Sequence, residues 1–143
     1  MLQKYALFGG LLEDQINSII PLMAEKNFSS GDVIIPEGKS NDTVYFIIKG
    51  QVEATRKDVA LTRFGEGDTF GEMEILDVMP AVATIKAVSE VSAMTISNKA
   101  LHAIYNQDAK IFSLIIMNLA RDISRRLRKM NERYTEITYK FLL

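Results

Sequence analysis

The spacing of apolar positions changes three times along this chain. Over Leu11–Met23 (LLEDQINSIIPLM) apolar residues stand at 12, 16, 19, 20 and 23, the rhythm of a helical face. Pro21 is expected to end or distort that helix near its C-terminal side. From Phe28 the pattern shortens to VII, TVYFII, QVEAT, VALTRF, ATIKAV and VSAMTI, each run set off by Gly, Asp, Asn, Ser or Pro. Runs of roughly four to eight residues, recurring about every ten, predict some eight short antiparallel strands in a sandwich or roll. Ser97-Asn98 then reads as an N-cap before a short helix, KALHAIYNQD.

A second, long helix is expected from about Asp108 to Lys140. Within it Ile116, Ala120, Ile123, Leu127, Met130, Tyr134, Ile137 and Phe141 follow one another in alternating steps of four and three, an a/d heptad seam. A helix packed only on its own domain shows a wider stripe of period 3.6, so the seam predicts a homodimer. The g positions hold Arg126, Arg133 and Lys140 and the e positions Ser124, Asn131 and Thr138, so ion pairs do not fix a parallel partner. The predicted architecture is mainly β, an antiparallel roll of double-stranded β-helix or jelly-roll type. It forms one domain over 1–143: an N-terminal helical segment (1–27), the roll (28–97) and the C-terminal helices (98–143).

Composition narrows the setting. With 48% hydrophobic and 24% charged residues the chain has the balance of a folded globular domain rather than a disordered one. It has no cysteine, which excludes disulfides and thiolate metal sites and favours a reducing compartment. No N-terminal apolar run is long enough for a secretory signal, and no stretch approaches a bilayer span, so a cytoplasmic protein without membrane association is expected. The net charge of −1 conceals an asymmetry. Residues 1–110 carry 10 basic and 15 acidic side chains, residues 111–143 carry 7 and 3. Arg121, Arg125, Arg126, Arg128, Lys129 and Arg133 make a basic helix, read either as a solvated face or as a dock for nucleic acid or an acidic partner.

The stretch FGEMEILDVMPAVATIKA, residues 70–87, is the candidate binding segment. A helix starting at Gly71-Glu72 would direct unpaired backbone N–H groups at an anion. The Glu72 carboxylate repels phosphate and would instead accept a hydrogen bond from a sugar hydroxyl. His102 is the sole histidine and, with no cysteine, lacks partners for a metal site, so packing or a local hydrogen bond is expected of it. It also lacks an evident nucleophile and orienting acid for a hydrolytic triad. Glu72 and Glu74, two residues apart at a helix start, do not share a face for paired acid–base work. Neither a metal nor an enzymatic activity is expected.

Phe70, Gly71, Glu72, Pro80, Ala83, Thr84, Ile85 and Ala87 resemble, without a gap, the phosphate-binding cassette of the cyclic-nucleotide-binding domain family, found in catabolite-activator-type regulators, kinase regulatory subunits and gated channels. GDVIIPEGKSNDTVYFIIKGQVEAT resembles that family's paired-strand signature, and NLARDISRRLRKMNE the dimerisation helix of its bacterial regulators. The resemblance spans essentially the whole chain. It implies a regulatory sensor with cAMP or cGMP as ligand. Its site would comprise Phe70, Gly71, Glu72, Met73, Glu74, Ala81, Val82 and Ala83, with Glu72 on the ribose and backbone amides of 71–74 and 82–83 near the phosphate. The residues past the seam leave no room for a helix-turn-helix, so specific DNA binding is not expected.

Two positions depart from the family pattern. Ala81 stands where the family places the arginine that holds the cyclic phosphate. Losing one partner of a buried charge pair typically costs ~2–5 kcal/mol, or roughly 30-fold to a few thousand-fold in affinity. Glu74 stands where many members carry a small residue. Three readings follow. The pocket binds cyclic nucleotide weakly through amides and Glu72. It recruits a replacement cation, Arg63, Arg121 or Arg125. Or it holds no nucleotide, either taking an apolar or uncharged ligand or leaving a ligand-independent homodimer that docks a protein partner through its basic helix.

Overall fold

The computed structural model describes residues 2–142; Met1 and Leu143, the ends of the expected domain, lie outside them. After two short 3-10 turns, Leu2–Lys4 and Ala6–Phe8, come α1 (Glu13–Ile19) and a 3-10 turn at Ile20–Leu22. Six strands follow: β1 (Ala24–Phe28), β2 (Val33–Ile35), β3 (Thr43–Lys49), β4 (Val52–Arg56), β5 (Val59–Phe64) and β6 (Thr69–Phe70). Then come α2 (Glu72–Leu76), β7 (Thr84–Ala87), β8 (Val91–Ser97), α3 (Asn98–Gln107) and α4 (Ala109–Leu142). The strands form two four-stranded sheets, ordered β1-β8-β3-β6 and β2-β7-β4-β5, with every pairing antiparallel. The expected β-roll with helical ends is therefore present, although the helices together, with α4 the longest, hold more residues than the strands.

β3 explains why the chain needs two cores. Side chains alternate across a strand, and TVYFII is apolar at nearly every position, so both faces must be covered. Tyr45 and Ile47 point between the sheets, where they meet Val52, Ala54, Phe70, Ile85 and Ala93. Val44 and Phe46 point outward against a helical layer of Phe8, Ile16, Ile104, Ile111, Ile115 and Leu119. Edge-to-face contacts of Phe46 with Tyr5 and Phe8 pin the N-terminal turns to this layer. The side-chain amide of Asn118, buried on α4, donates 2.9 Å hydrogen bonds to the Leu7 and Gly9 carbonyls. The start of the chain is thereby tied to the middle of α4.

The N-terminal helix is shorter than its spacing predicts. Leu12 is an exposed N-cap rather than the first apolar contact, Pro21 sits in the 3-10 turn that ends the helix, and Met23 lies outside it. The segment 24–27, placed among the helical residues by sequence, begins the β-roll as β1. Its sequence AEKNF is exposed at four of five positions and carries no apolar alternation, while its backbone pairs with β8 from Ala24–Thr95 to Phe28–Val91. The short helix is capped as expected, the Ser97 hydroxyl accepting from Ala100 N–H at 3.0 Å.

Candidate functional site

The cassette begins where β6 ends. Phe70 turns inward and stacks on Tyr45 with 4.8 Å between parallel rings, fixing the end of the strand against the inter-sheet core. The chain then reverses at Gly71, whose φ of 85° is left-handed. A Cβ there would collide with the Thr43 carbonyl and lie 2.9 Å from Asn41 Nδ2. That same amide donates to the Gly71 and Thr43 carbonyls, 2.9 Å each, so turn and strand are held by one side chain. α2 follows, with five residues only. Few peptide dipoles align in so short a helix, and the sequence-based argument for an anion at its N-terminus is correspondingly weakened.

Glu72, the first residue of α2, is buried at 1% exposure, and its partner comes from the other end of the chain. Arg126 Nη1 on α4 meets its Oε1 at 2.6 Å. Arg126 Nη2 donates to the Thr69 carbonyl and pairs with Asp122 Oδ2 at 2.6 Å, one helical turn earlier on α4. The guanidinium lies 4.7 Å above the Phe64 ring, a favourable cation–π geometry. Asp122 also reaches the Thr69 hydroxyl, at 3.4 Å. One arginine thus joins the roll (Phe64, Thr69), the cassette (Glu72) and the long helix. Burial pushes the Glu72 carboxyl above its ordinary range, with the Arg126 charge opposing the shift. Half-buried Glu74 is raised as well, by burial and then by the neighbouring Glu72 charge.

The far arm of the cassette is pinned to the turn after β2. Gly38 N–H donates to the Ala81 carbonyl and Ala81 N–H to the Lys39 carbonyl, both 2.8 Å, while the Thr84 hydroxyl accepts from Glu37 N–H at 3.0 Å. Ala81 and Ala83 are buried in the inter-sheet core, whereas Val82 and Met73 face outward. The eight predicted site residues therefore divide. Phe70, Ala81 and Ala83 are buried in the core, Gly71 makes the left-handed turn, Glu72 and Glu74 are the charged groups, and Met73 and Val82 lie at the surface. Between them Val78 carries the left-handed φ of 56° and is 85% exposed.

None of the three expected replacement cations reaches the cassette. Arg63 pairs with its cross-strand neighbour Glu53 at 3.1 Å on the outer face of its sheet, and Arg121 and Arg125 are exposed. The residue that sequence reasoning missed is Arg126. Its g position in the heptad marked it as flanking the dimer seam. No signal in the sequence says that α4 lies along the cassette.

A cavity of about 400 Å³ lies between α2, α3 and α4, lined mainly by Ile75, Leu76, Leu101, Tyr105, Phe112 and Ile116. Exposed His102 stands on its rim rather than in the core. Past Leu119 the α4 seam is not used by the domain's own core: Ala120, Leu127, Met130, Tyr134 and Ile137 are exposed and Ile123 is half-buried. Among the described residues no cluster has three or more metal-ligating side chains, and no helix is long and apolar enough to cross a membrane.

Residues 25–108, more than half of the chain, match the profile of the cyclic nucleotide-binding domain. A CRP-like cAMP-activated global transcriptional regulator of Mycobacterium tuberculosis is 26% identical over 97% of this chain and 62% of its own length. A cAMP-dependent protein kinase regulatory subunit of Blastocladiella emersonii is 29% identical over 91% of this chain and 30% of its own. The chain thus spans less than two thirds of these relatives. Among solved structures, a cyclic nucleotide-binding domain from Methylobacillus flagellatus superposes with a TM-score of 0.83 at 21% identity, covering 92% of this chain and 77% of that one. Matched by that profile over more than half of its length, the chain belongs to the cyclic nucleotide-binding domain family.

Proposed function

We propose that this protein is a cytoplasmic regulatory module that converts occupancy of the 70–87 cassette into a change in the geometry of α4, along which two copies form a homodimer. The observation that carries this reading is the Arg126 junction. The side chain best placed to feel a ligand at Glu72 is a residue of the dimer helix itself. A ligand changes such an equilibrium only if it binds one arrangement of α4 better than the other. A hydroxyl that engages Glu72 alters the site that holds Arg126, which supplies that difference. The dimer draws support from the unused apolar seam.

The test is hydrogen exchange across the cassette and α4, with cAMP, cGMP, adenosine and guanosine added in turn. At least one of the four should change protection both at 70–83 and at 120–137, and Arg126→Gln should remove the second change. Protection altered at the cassette alone, or an α4 response that survives Arg126→Gln, would sink the coupling. A second reading is supported by the exposure of Arg121, Arg125, Arg128, Lys129 and Arg133, a basic face that the fold does not consume. On that reading an acidic protein partner docks there whatever the state of the pocket. Replacing Arg125, Arg128 and Lys129 with Ser would abolish its capture.

A further inference from the structure

The groove of about 400 Å³ between α2, α3 and α4 is continuous with the heptad seam. Phe112 and Ile116, one helical turn apart, are its α4 lining, and Ile116 is also the first seam residue. Leu76 on α2 and Tyr105 on α3 line its other sides and are 44% and 52% exposed. At the far end of the same helix Tyr139, Phe141 and Leu142 are exposed as well. Open apolar surface of this kind marks an interaction site. The tip cannot fill the groove of its own chain, because Phe141 lies about 38 Å along the helix from Ile116. A second copy running the other way can. We infer that two copies pair antiparallel along α4, the tip of each helix seated in the groove of the other. This rests on the dimer reading above and assigns the orientation of that dimer.

Packing and charge both support it. With Ile116 opposite the partner's Phe141, Ala120 meets the partner's Ile137, Ile123 the partner's Tyr134 and Leu127 the partner's Met130. The first three of these layers each join a smaller side chain to a larger one, which fills a core evenly. Parallel pairing sets Ala120 against Ala120 and Tyr134 against Tyr134, and brings two grooves to one level with nothing to fill either. Residues 1–110 carry 10 basic and 15 acidic side chains and residues 111–143 carry 7 and 3. Parallel arms hold positive beside positive, remote from either body. Antiparallel arms bring each tip, with Lys140, to the partner's acidic body, where exposed Asp77 caps α2 next to Leu76. Arg133 then comes opposite the partner's Arg126, whose charge Glu72 and Asp122 already answer.

The chain has no cysteine, so introduced thiols report the pairing alone. Ala120→Cys and Ile137→Cys, each oxidised separately as the full chain, should stay unlinked on denaturing electrophoresis. Mixed at low concentration, reconcentrated and then oxidised, they should give a dimer joined between positions 120 and 137. Each variant crosslinking with itself overturns the inference and leaves the dimer reading standing. So does a mixture that stays unlinked while light scattering shows a dimer. A monomeric unmodified protein overturns both. Leu76→Glu, in the groove and outside the seam, should weaken dimerisation at least tenfold. Dimerisation that it leaves unchanged overturns the seating of the tip. Should Leu76→Glu fail to fold, Tyr105→Glu on α3 makes the same test.

Discussion

Among the described residues Arg126 enters two of the three ion pairs, and its removal should be felt as a buried charge left alone. Glu72 is almost fully enclosed while Arg126 is about a quarter exposed. Breaking a buried pair costs ~3–5 kcal/mol, and the partial exposure of Arg126 reduces that to roughly 2–3 kcal/mol for Arg126→Gln. Combining it with Glu72→Gln should recover a large part of the loss, since no orphan charge remains. Denaturant unfolding of the three variants checks this, and simple additivity would show that the pair is not coupled. Glu74 makes a different prediction. Its carboxyl is raised in the folded protein, so ionisation favours the unfolded chain. The native state loses stability as pH rises from the ordinary carboxylate range through the folded value. Glu74→Gln should therefore raise the melting temperature at pH 7 and lose that advantage on acidification below the carboxylate range. A gain independent of pH would assign the effect to something other than charge.

At the level of elements, α4 combines two helices in one. Its first three turns bury Ile111, Ile115, Asn118 and Leu119 in the domain, and its later turns leave the 4–3 seam to solvent. Leu127→Glu with Ile137→Glu should convert the proposed dimer to a monomer in light scattering, with the roll's near-ultraviolet signal unchanged. A monomeric unmodified protein would remove the seam's assigned role. Much of this was readable in the sequence. β3, β5 and β8 appear as apolar or alternating runs within one residue of their ends, and the seam shows by counting. β1 was not readable, because an edge strand of polar residues gains its stability from backbone pairing with β8 rather than from a hydrophobic pattern. Gly71 illustrates the same limit at the cassette. The motif marks the glycine, but only packing reveals that Asn41 and Thr43 leave no room for a Cβ. Gly71→Ala should cost roughly 1–2 kcal/mol from left-handed backbone strain alone, with the clash adding to it. The cassette was legible as a motif. Its wiring was not, since Arg126 meets Glu72 across 54 positions of sequence.

For the whole molecule, the roll and α4 form a body and an arm. If two arms pair, native stability becomes inseparable from protomer concentration. The melting temperature of the unmodified protein should then climb with dilution reversed, while that of the Leu127→Glu, Ile137→Glu variant stays fixed. Constant melting across a hundredfold concentration range would rule the pairing out. The proportions of the arm matter too. Leu119 is the last α4 residue in the core and Leu142 the last described, a reach of about 34 Å at 1.5 Å per residue. Arg126, roughly 10 Å along it, ties the helix to Glu72 and Thr69. Under the proposed coupling, the core end would act as a fulcrum, the arginine as the point where force is applied, and the free end as the load. A shift of about 1 Å at the cassette would emerge as about 3 Å at the tip, from leverage alone.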